Sequence, residues 1–146
     1  MSQDQQKNWM MVVEDQVDAW LLLKGALRRT LPHVLTVDAS NGPTALSYLH
    51  GCLVERRPLP RMILMDLYMP ALEDGLKLLH TLKEPASAYS HLPVVVMSSS
   101  TDPRDRQHVT QRGSSYLTKP LSYSDWDSFM ASIDRHWNES LTIPPV

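Results

Sequence analysis

Five residues of this chain place chemistry-bearing side chains at the ends of apolar runs: Glu14, Asp15, Asp66, Ser98 and Lys119. Asp66 closes the run Met62-Ile63-Leu64-Met65, whose unbroken apolar character fits a strand buried on both faces of a parallel sheet, and Pro70 forbids its continuation. Glu14 and Asp15 follow Trp9-Met10-Met11-Val12-Val13. Ser98 follows Leu92-Pro93-Val94-Val95-Val96-Met97, with the proline tolerable only at the first positions of that strand, and Lys119 follows Ser115-Tyr116-Leu117-Thr118. In open α/β sheets ligands collect at the carboxyl ends of strands. All five side chains are therefore expected along one edge of one sheet.

Acids converging on one place repel, and either protonation of one of them or binding of a divalent cation relieves the repulsion. Oxygen ligands without histidine or cysteine favour a hard ion, and Mg²⁺ characteristically accepts one or two carboxylates, waters and a phosphoryl oxygen. With the charge neutralised, Asp66 is able to attack a phosphoryl donor and form an acyl phosphate. Lys119 would pair with one phosphoryl oxygen as a point charge, and Ser98 would donate a hydrogen bond to another.

Strands and helices must alternate to carry these groups. Between the first strand and a second at Val34-Leu35-Thr36-Val37, the spacing of Val17, Trp20, Leu21, Leu27 and Leu31 predicts a helix from about Gln16 to Arg29, closed before Pro32. Asn41 or Gly42 with Pro43 starts a second helix, with Ala45, Leu46 and Leu49 inward and Gly51 as its stop, and Leu53 to Pro60 is a loop. Asp74 caps a third helix carrying Leu76, Leu79 and Leu82. Asp102-Pro103 opens a fourth over Arg104 to Arg112, whose only apolar anchor is Val109. Ser122 with Asp125 three residues on has capping-box spacing, and Trp126, Phe129, Met130, Ile133 and Trp137 form the buried stripe of a fifth helix. Five strands alternating with five helices imply a three-layer α/β fold with a mostly parallel sheet.

Composition narrows the function. With 146 residues, 42% hydrophobic and 21% charged, the chain reads as one domain, divided as a disordered polar segment at 1–8, a folded unit at 9–138 and a proline-bearing tail at 139–146. A net charge of −2 gives no electrostatic reason to expect nucleic acid. The single cysteine, Cys52, precludes an internal disulfide, and the polar start Met1 to Asn8 lacks a secretory core, so a cytoplasmic location is expected. No apolar run approaches the roughly 20 residues of a membrane span.

The acidic pair Glu14-Asp15, Asp66-Leu67-Tyr68-Met69-Pro70, the strand-end Ser98 and Tyr116-Leu117-Thr118-Lys119-Pro120 together resemble the receiver domain of two-component response regulators, the CheY-like family. The resemblance covers about Trp9 to Trp137. It implies a flavodoxin-like sheet in the order 2-1-3-4-5 and a phosphoacceptor at Asp66, charged by a histidine kinase or phosphotransfer protein. It also implies Mg²⁺ bound by Asp15, Asp66 and the backbone carbonyl of Tyr68, with Glu14 acting mainly through water. Ser98 would turn towards the phosphoryl group and Tyr116 would rotate inward, remodelling the surface of the fourth helix, fifth strand and fifth helix. The sparse apolar face of the fourth helix agrees with a moving element. Such a protein is a signalling switch rather than an enzyme, catalysing only its own phosphorylation and dephosphorylation.

Within the family the chain looks closest to stand-alone receivers partnered with phytochrome-type or hybrid kinases, on the lack of an effector domain, the long loop Leu53 to Pro60 and the ending after Trp137. Such receivers often form homodimers through the strand-five and helix-five face. Departures from the family pattern are a gap from Pro70 to Gly75 one residue longer than usual, a segment Gly113 to Tyr116 one shorter, and Tyr68 where a small polar residue is usual. The Tyr68 ring is expected to shield the acyl phosphate from water.

Plainer readings exist for each residue: a turn at Asp66, helix-start acids at Glu14 and Asp15, loop chemistry at Ser98, a sheet aromatic at Tyr116 and a solvated Lys119. Rival classes fit less well. A haloacid-dehalogenase-type phosphatase needs a second acid where Tyr68 stands. A nucleotide-binding fold needs a glycine-rich loop where Glu14-Asp15-Gln16 stands. A receiver-fold module that binds without being phosphorylated is the remaining alternative.

Overall fold

The computed structural model describes residues 8–140. Ten elements alternate: β1 (Trp9–Val13), α1 (Val17–Thr30), β2 (Leu35–Ala39), α2 (Gly42–Val54), β3 (Met62–Asp66), α3 (Leu72–Lys83), β4 (Val94–Ser98), α4 (Pro103–Thr110), β5 (Ser115–Thr118) and α5 (Tyr123–Ser140). All strand pairs are parallel and the sheet order is β2-β1-β3-β4-β5. This is the flavodoxin-like order that the resemblance implies.

The continuous apolar runs became the three inner strands, and every residue of β1, β3 and β4 is buried. Successive side chains of a strand point to opposite faces, so each run feeds two cores. Met11, Val13, Ile63, Met65, Val94 and Val96 pack with α2, α3 and α4 on one face. Met10, Val12, Met62, Leu64, Val95 and Met97 pack with α1 and α5 on the other. Ile133 of α5 is fully buried in the second core, so its truncation to alanine would cost roughly 2–5 kcal/mol. Below that core, the Arg61 guanidinium stacks 4.3 Å from the Trp137 ring, donates to Ser140 Oγ at 3.1 Å and reaches Asn8 Oδ1. Asn8, expected in a disordered segment, is thereby tied to the domain. The rest of that segment and the tail beyond Ser140 lie outside the described residues, while Glu139 and Ser140 continue α5 past the expected boundary at 138.

Several boundaries differ from the sequence expectation, each for a local reason. The second strand runs to Ala39 because parallel pairing with β1 extends until Ala39 faces Val13, while Val34 belongs to the preceding turn, its N–H bonded to Leu31 O at 3.1 Å. Gly51 does not stop α2. A glycine inside a helix is tolerated, and the helix runs on to Val54, ending where Arg56 takes a left-handed φ of 55°. Asp74 is not the first cap of α3. It sits in the first turn, where its carboxylate accepts from Ala71 N–H at 3.0 Å, and the cap is Ala71, three residues earlier, with the helix starting at Leu72. The capping box expected at Ser122 and Asp125 is absent: Ser122 Oγ pairs with Ser124 Oγ at 3.0 Å. By contrast Asp102 caps α4 as expected, accepting from Arg104 N–H at 2.9 Å ahead of Pro103.

Candidate functional site

Strand register brings the polar strand ends together. Val13 lies beside Met65, so Glu14 and Asp66 emerge as neighbours, and Ser98 lies beside Thr118, so Lys119 follows at the same edge. One carboxylate oxygen from each of Glu14, Asp15 and Asp66 falls within 4.8 Å of the others. Lys119 Nζ donates to Asp66 Oδ2 at 2.7 Å and to Glu14 Oε1 at 2.8 Å. The other Asp66 oxygen, Oδ1, accepts from Tyr68 N–H at 3.2 Å.

Burial acts on both partners of the Lys119–Glu14 pair but prevails only at Glu14. Glu14 and Asp66 are 6% and 7% exposed. Burial pushes the Glu14 carboxyl up to about 7, with the negative Asp66 adding to the rise and the Lys119 hydrogen bond opposing it. Burial also disfavours the Lys119 ammonium, but its hydrogen bonds to Asp66 and Glu14 outweigh that and raise its pKa. One ammonium therefore serves two buried carboxylates, and a third acid stands beside them.

That third acid shows what the cluster lacks. Asp15 Oδ1 is buried and has no hydrogen-bond partner among the described residues. A buried acceptor in that condition costs free energy unless a proton, a water or a cation compensates it. An all-oxygen, three-carboxylate set suits a hard divalent cation, so these residues fit one.

Ser98 and Tyr116 lie at the next tier. Ser98 is fully buried, its carbonyl accepts from Lys119 N–H at 2.8 Å, and its Oγ accepts from Ser100 N–H at 3.1 Å, which leaves the hydroxyl proton free to be donated. Tyr116 is buried and donates its hydroxyl to Ser100 O at 3.0 Å, with the Arg106 guanidinium 4.8 Å over its ring. It thus takes the inward orientation here and stands apart from the acids. Ser100 connects it to Ser98.

One residue escaped the sequence reading. Asp105, in the first turn of α4, is 3% exposed and accepts the Tyr68 hydroxyl on Oδ2 at 2.5 Å. The signal was available, because Asp105 lies four positions before the buried Val109 and so shares the inward face of the helix.

Residues 10–128 match the response regulator receiver domain family. The chain belongs to that family. Among curated relatives, the receiver is 28% identical over 141 residues to response regulator Rcp1 of Synechocystis sp., covering 92% of this chain and 91% of that protein. It is 37% identical over 98 residues to the probable methanogenesis regulatory protein FilR2 of Methanothrix harundinacea, across 66% of this chain and 62% of FilR2, so the match spans under two thirds of that relative. Two solved structures resemble the receiver closely. The Mn²⁺-bound form of Rcp1 superposes with a TM-score of 0.78 at 26% identity, covering 94% of this chain and 99% of that one. The phosphorylated cyanobacterial phytochrome response regulator RcpA gives 0.78 at 27% identity, with 94% and 99% covered. No helix among the described residues is long and apolar enough to cross a membrane.

Proposed function

We propose that this receiver accepts a phosphoryl group on Asp66 from a histidine kinase or phosphotransfer protein and converts it into a change of the surface formed by α4, β5 and α5. The observation that carries the reading is the convergence of Lys119 on Asp66 beside two further acids, one of which leaves a buried oxygen unpartnered. The likeness to the cyanobacterial phytochrome response regulator RcpA suggests a phytochrome-type or related kinase as the donor system.

Mg²⁺ is the cation proposed, held by Asp15, Asp66 and the Tyr68 carbonyl, with Glu14 reached through water. Bound there, it would neutralise charge between the acids and the incoming phosphoryl oxygens. The chain's own groups do the remainder. One Asp66 oxygen attacks phosphorus, and the bond to the donor breaks with its electron pair leaving on the donor. Lys119, already 2.7 Å from Asp66 Oδ2, pairs with a phosphoryl oxygen as a fixed positive charge. Ser98 turns its free hydroxyl proton to another, loosening its bond to Ser100 N–H.

The readout follows from that movement. Ser98 and Tyr116 both bond to Ser100, so a shift of Ser98 reaches the Tyr116 ring and the Arg106 stacked on it. Leu121 in the β5–α5 loop and Tyr123 at the start of α5, 81% and 96% exposed, suit an interface and favour a homodimer through the β5 and α5 face.

Incubation with acetyl phosphate and Mg²⁺, followed by intact mass measurement, tests the reading. The wild type is expected to gain one phosphoryl group and Asp66→Asn none. A wild type that takes no label from acetyl phosphate or from any competent kinase would leave only the alternative of a phosphorylation-independent binding module.

A further inference from the structure

We infer that Asp105 is a positioning residue for the chemistry at Asp66, acting through the phenol of Tyr68; the inference rests on Asp66 being the phosphoacceptor. A carboxylate 3% exposed is costly unless a strong donor compensates it. Here the donor is the Tyr68 hydroxyl, at a separation of 2.5 Å that belongs to charge-assisted bonds. The only residues that α4 buries are Asp105 and Val109. An apolar side chain at 105 would anchor so weakly held a helix better than an acid does. Holding the helix down therefore does not account for the acid, whereas holding Tyr68 does.

Tyr68 is fixed at both of its ends. Its N–H donates to Asp66 Oδ1 at 3.2 Å, and its side chain, 38% exposed, crosses to α4 to meet Asp105. The main chain that orients the acceptor and the side chain that grips the helix belong to one residue. The loop entering α4 is itself held, since Ser100 N–H donates to Ser98 Oγ at 3.1 Å and Asp102 N–H donates to Ser100 Oγ at 3.1 Å. Asp105 thus presents a fixed acceptor, and the phenol bound to it loses rotamer freedom that a half-exposed aromatic would otherwise keep.

The consequence is for hydrolysis of the acyl phosphate. In that step a water oxygen attacks phosphorus, the bond from phosphorus to the Asp66 oxygen breaks, the carboxylate keeps the electron pair, and inorganic phosphate leaves with the water's oxygen while its protons pass to the phosphate and solvent. Tyr68 stands two positions after Asp66, and its ring, tethered to α4 through the phenol, restricts the approach of that water, whereas a released ring does not. Asp105 therefore lengthens the life of the phosphorylated state without touching the phosphoryl group.

The test compares wild type, Tyr68→Phe, Asp105→Leu, Asp105→Asn and the double variant Tyr68→Phe/Asp105→Leu. Each is labelled with acetyl phosphate and Mg²⁺, freed of donor and followed by phosphate release. Tyr68→Phe and Asp105→Leu are expected to lose the group roughly three- to tenfold faster than wild type, and the double variant no faster than the faster single, because either change removes the same contact. Asp105→Asn, which still accepts a hydrogen bond, should fall between. The melting temperature of Asp105→Leu should hold or rise, the opposite of what a purely structural role requires. Wild-type rates in both single variants overturn the inference, as do effects that multiply in the double. If Asp105→Leu fails to fold, Tyr68→Phe, which loses one hydroxyl, decides alone. A wild type that takes no label refutes the phosphoacceptor reading and this role with it; a labelled wild type with unaffected variants refutes this role alone.

Discussion

Lys119 and Asp66 stand 53 positions apart in the chain, and their ammonium and carboxylate meet at 2.7 Å. Neither residue reaches the other by local structure. The meeting depends on β4 lying between β3 and β5 with each pair in parallel register, so that consecutive strands end at one level. The same ammonium bonds Glu14 at 2.8 Å, which makes Lys119 the residue that closes the site from the β5 side.

Replacing Lys119 by alanine removes two charge-assisted hydrogen bonds from buried carboxylates. Labelling of Asp66 by acetyl phosphate should slow by about 10- to 100-fold, the rate equivalent of one such bond lost from the transition state. Label uptake followed by mass measurement checks this, and uptake at the wild-type rate would remove Lys119 from the mechanism.

Glu14 gives the metal-free protein a pH dependence with a definite sign. Its carboxyl rises from an ordinary 4.5 to about 7 on folding, chiefly through burial. Between those values the folded chain holds more protons than the unfolded one, so stability is greatest below the lower value and falls as pH rises through the upper. Urea unfolding in chelator should therefore show a lower midpoint at about pH 7.5 than at about pH 5, other groups apart. Added Mg²⁺ should flatten the difference and Glu14→Gln should remove it. A midpoint that climbs with pH in chelator would contradict the assignment.

Tyr68→Asn takes away both the ring and the phenol that reaches α4. Dephosphorylation should accelerate by at least the roughly three- to tenfold expected for Tyr68→Phe. Phosphate release from the labelled variant measures it, and an unchanged or slower rate would end the shielding role of the ring.

Gly75 of α3 packs directly on the loop that follows Asp66. A Cβ built there would lie 1.8 Å from Leu67 O, a backbone atom that cannot swing aside. Gly75→Ala must push Leu67, which stands between Asp66 and Tyr68, and should cost about 3 kcal/mol or more in urea unfolding. A loss under about 1 kcal/mol, with normal labelling, would mean that the loop yields more easily than its packing indicates.

The parts of this architecture legible in the sequence were those written in continuous apolar runs and in strand-end polar residues. Met62 to Met65 announces a strand buried on both faces, and Asp66 closing it announces the edge where chemistry collects. Glu14, Asp15, Asp66 and Lys119 were all readable as one site because parallel strands leave their carboxyl ends on one side. Boundaries governed by tertiary contacts were not readable. Gly51 carries a helix-stop signal that the surrounding packing of α2 overrides, and the exposed β2 takes its register from β1 rather than from its own pattern. Asp105 was passed over because an acid in the first turn of a helix has a ready explanation in the helix dipole. Its spacing from Val109 puts it on the inward face of α4, but that it meets the Tyr68 hydroxyl depends on how α4 sits on the sheet.

The division of each inner strand between two cores makes β3 a ruler with one correct length. Adding or deleting a single position between Met62 and Asp66 would exchange the lodgers of the α1/α5 and α2/α3/α4 compartments and turn the carboxylate away from Lys119. A change of length near Asp66 is therefore tolerable only in the segment that follows it, which holds Tyr68. The strand behind it admits substitutions of like size and no change of count.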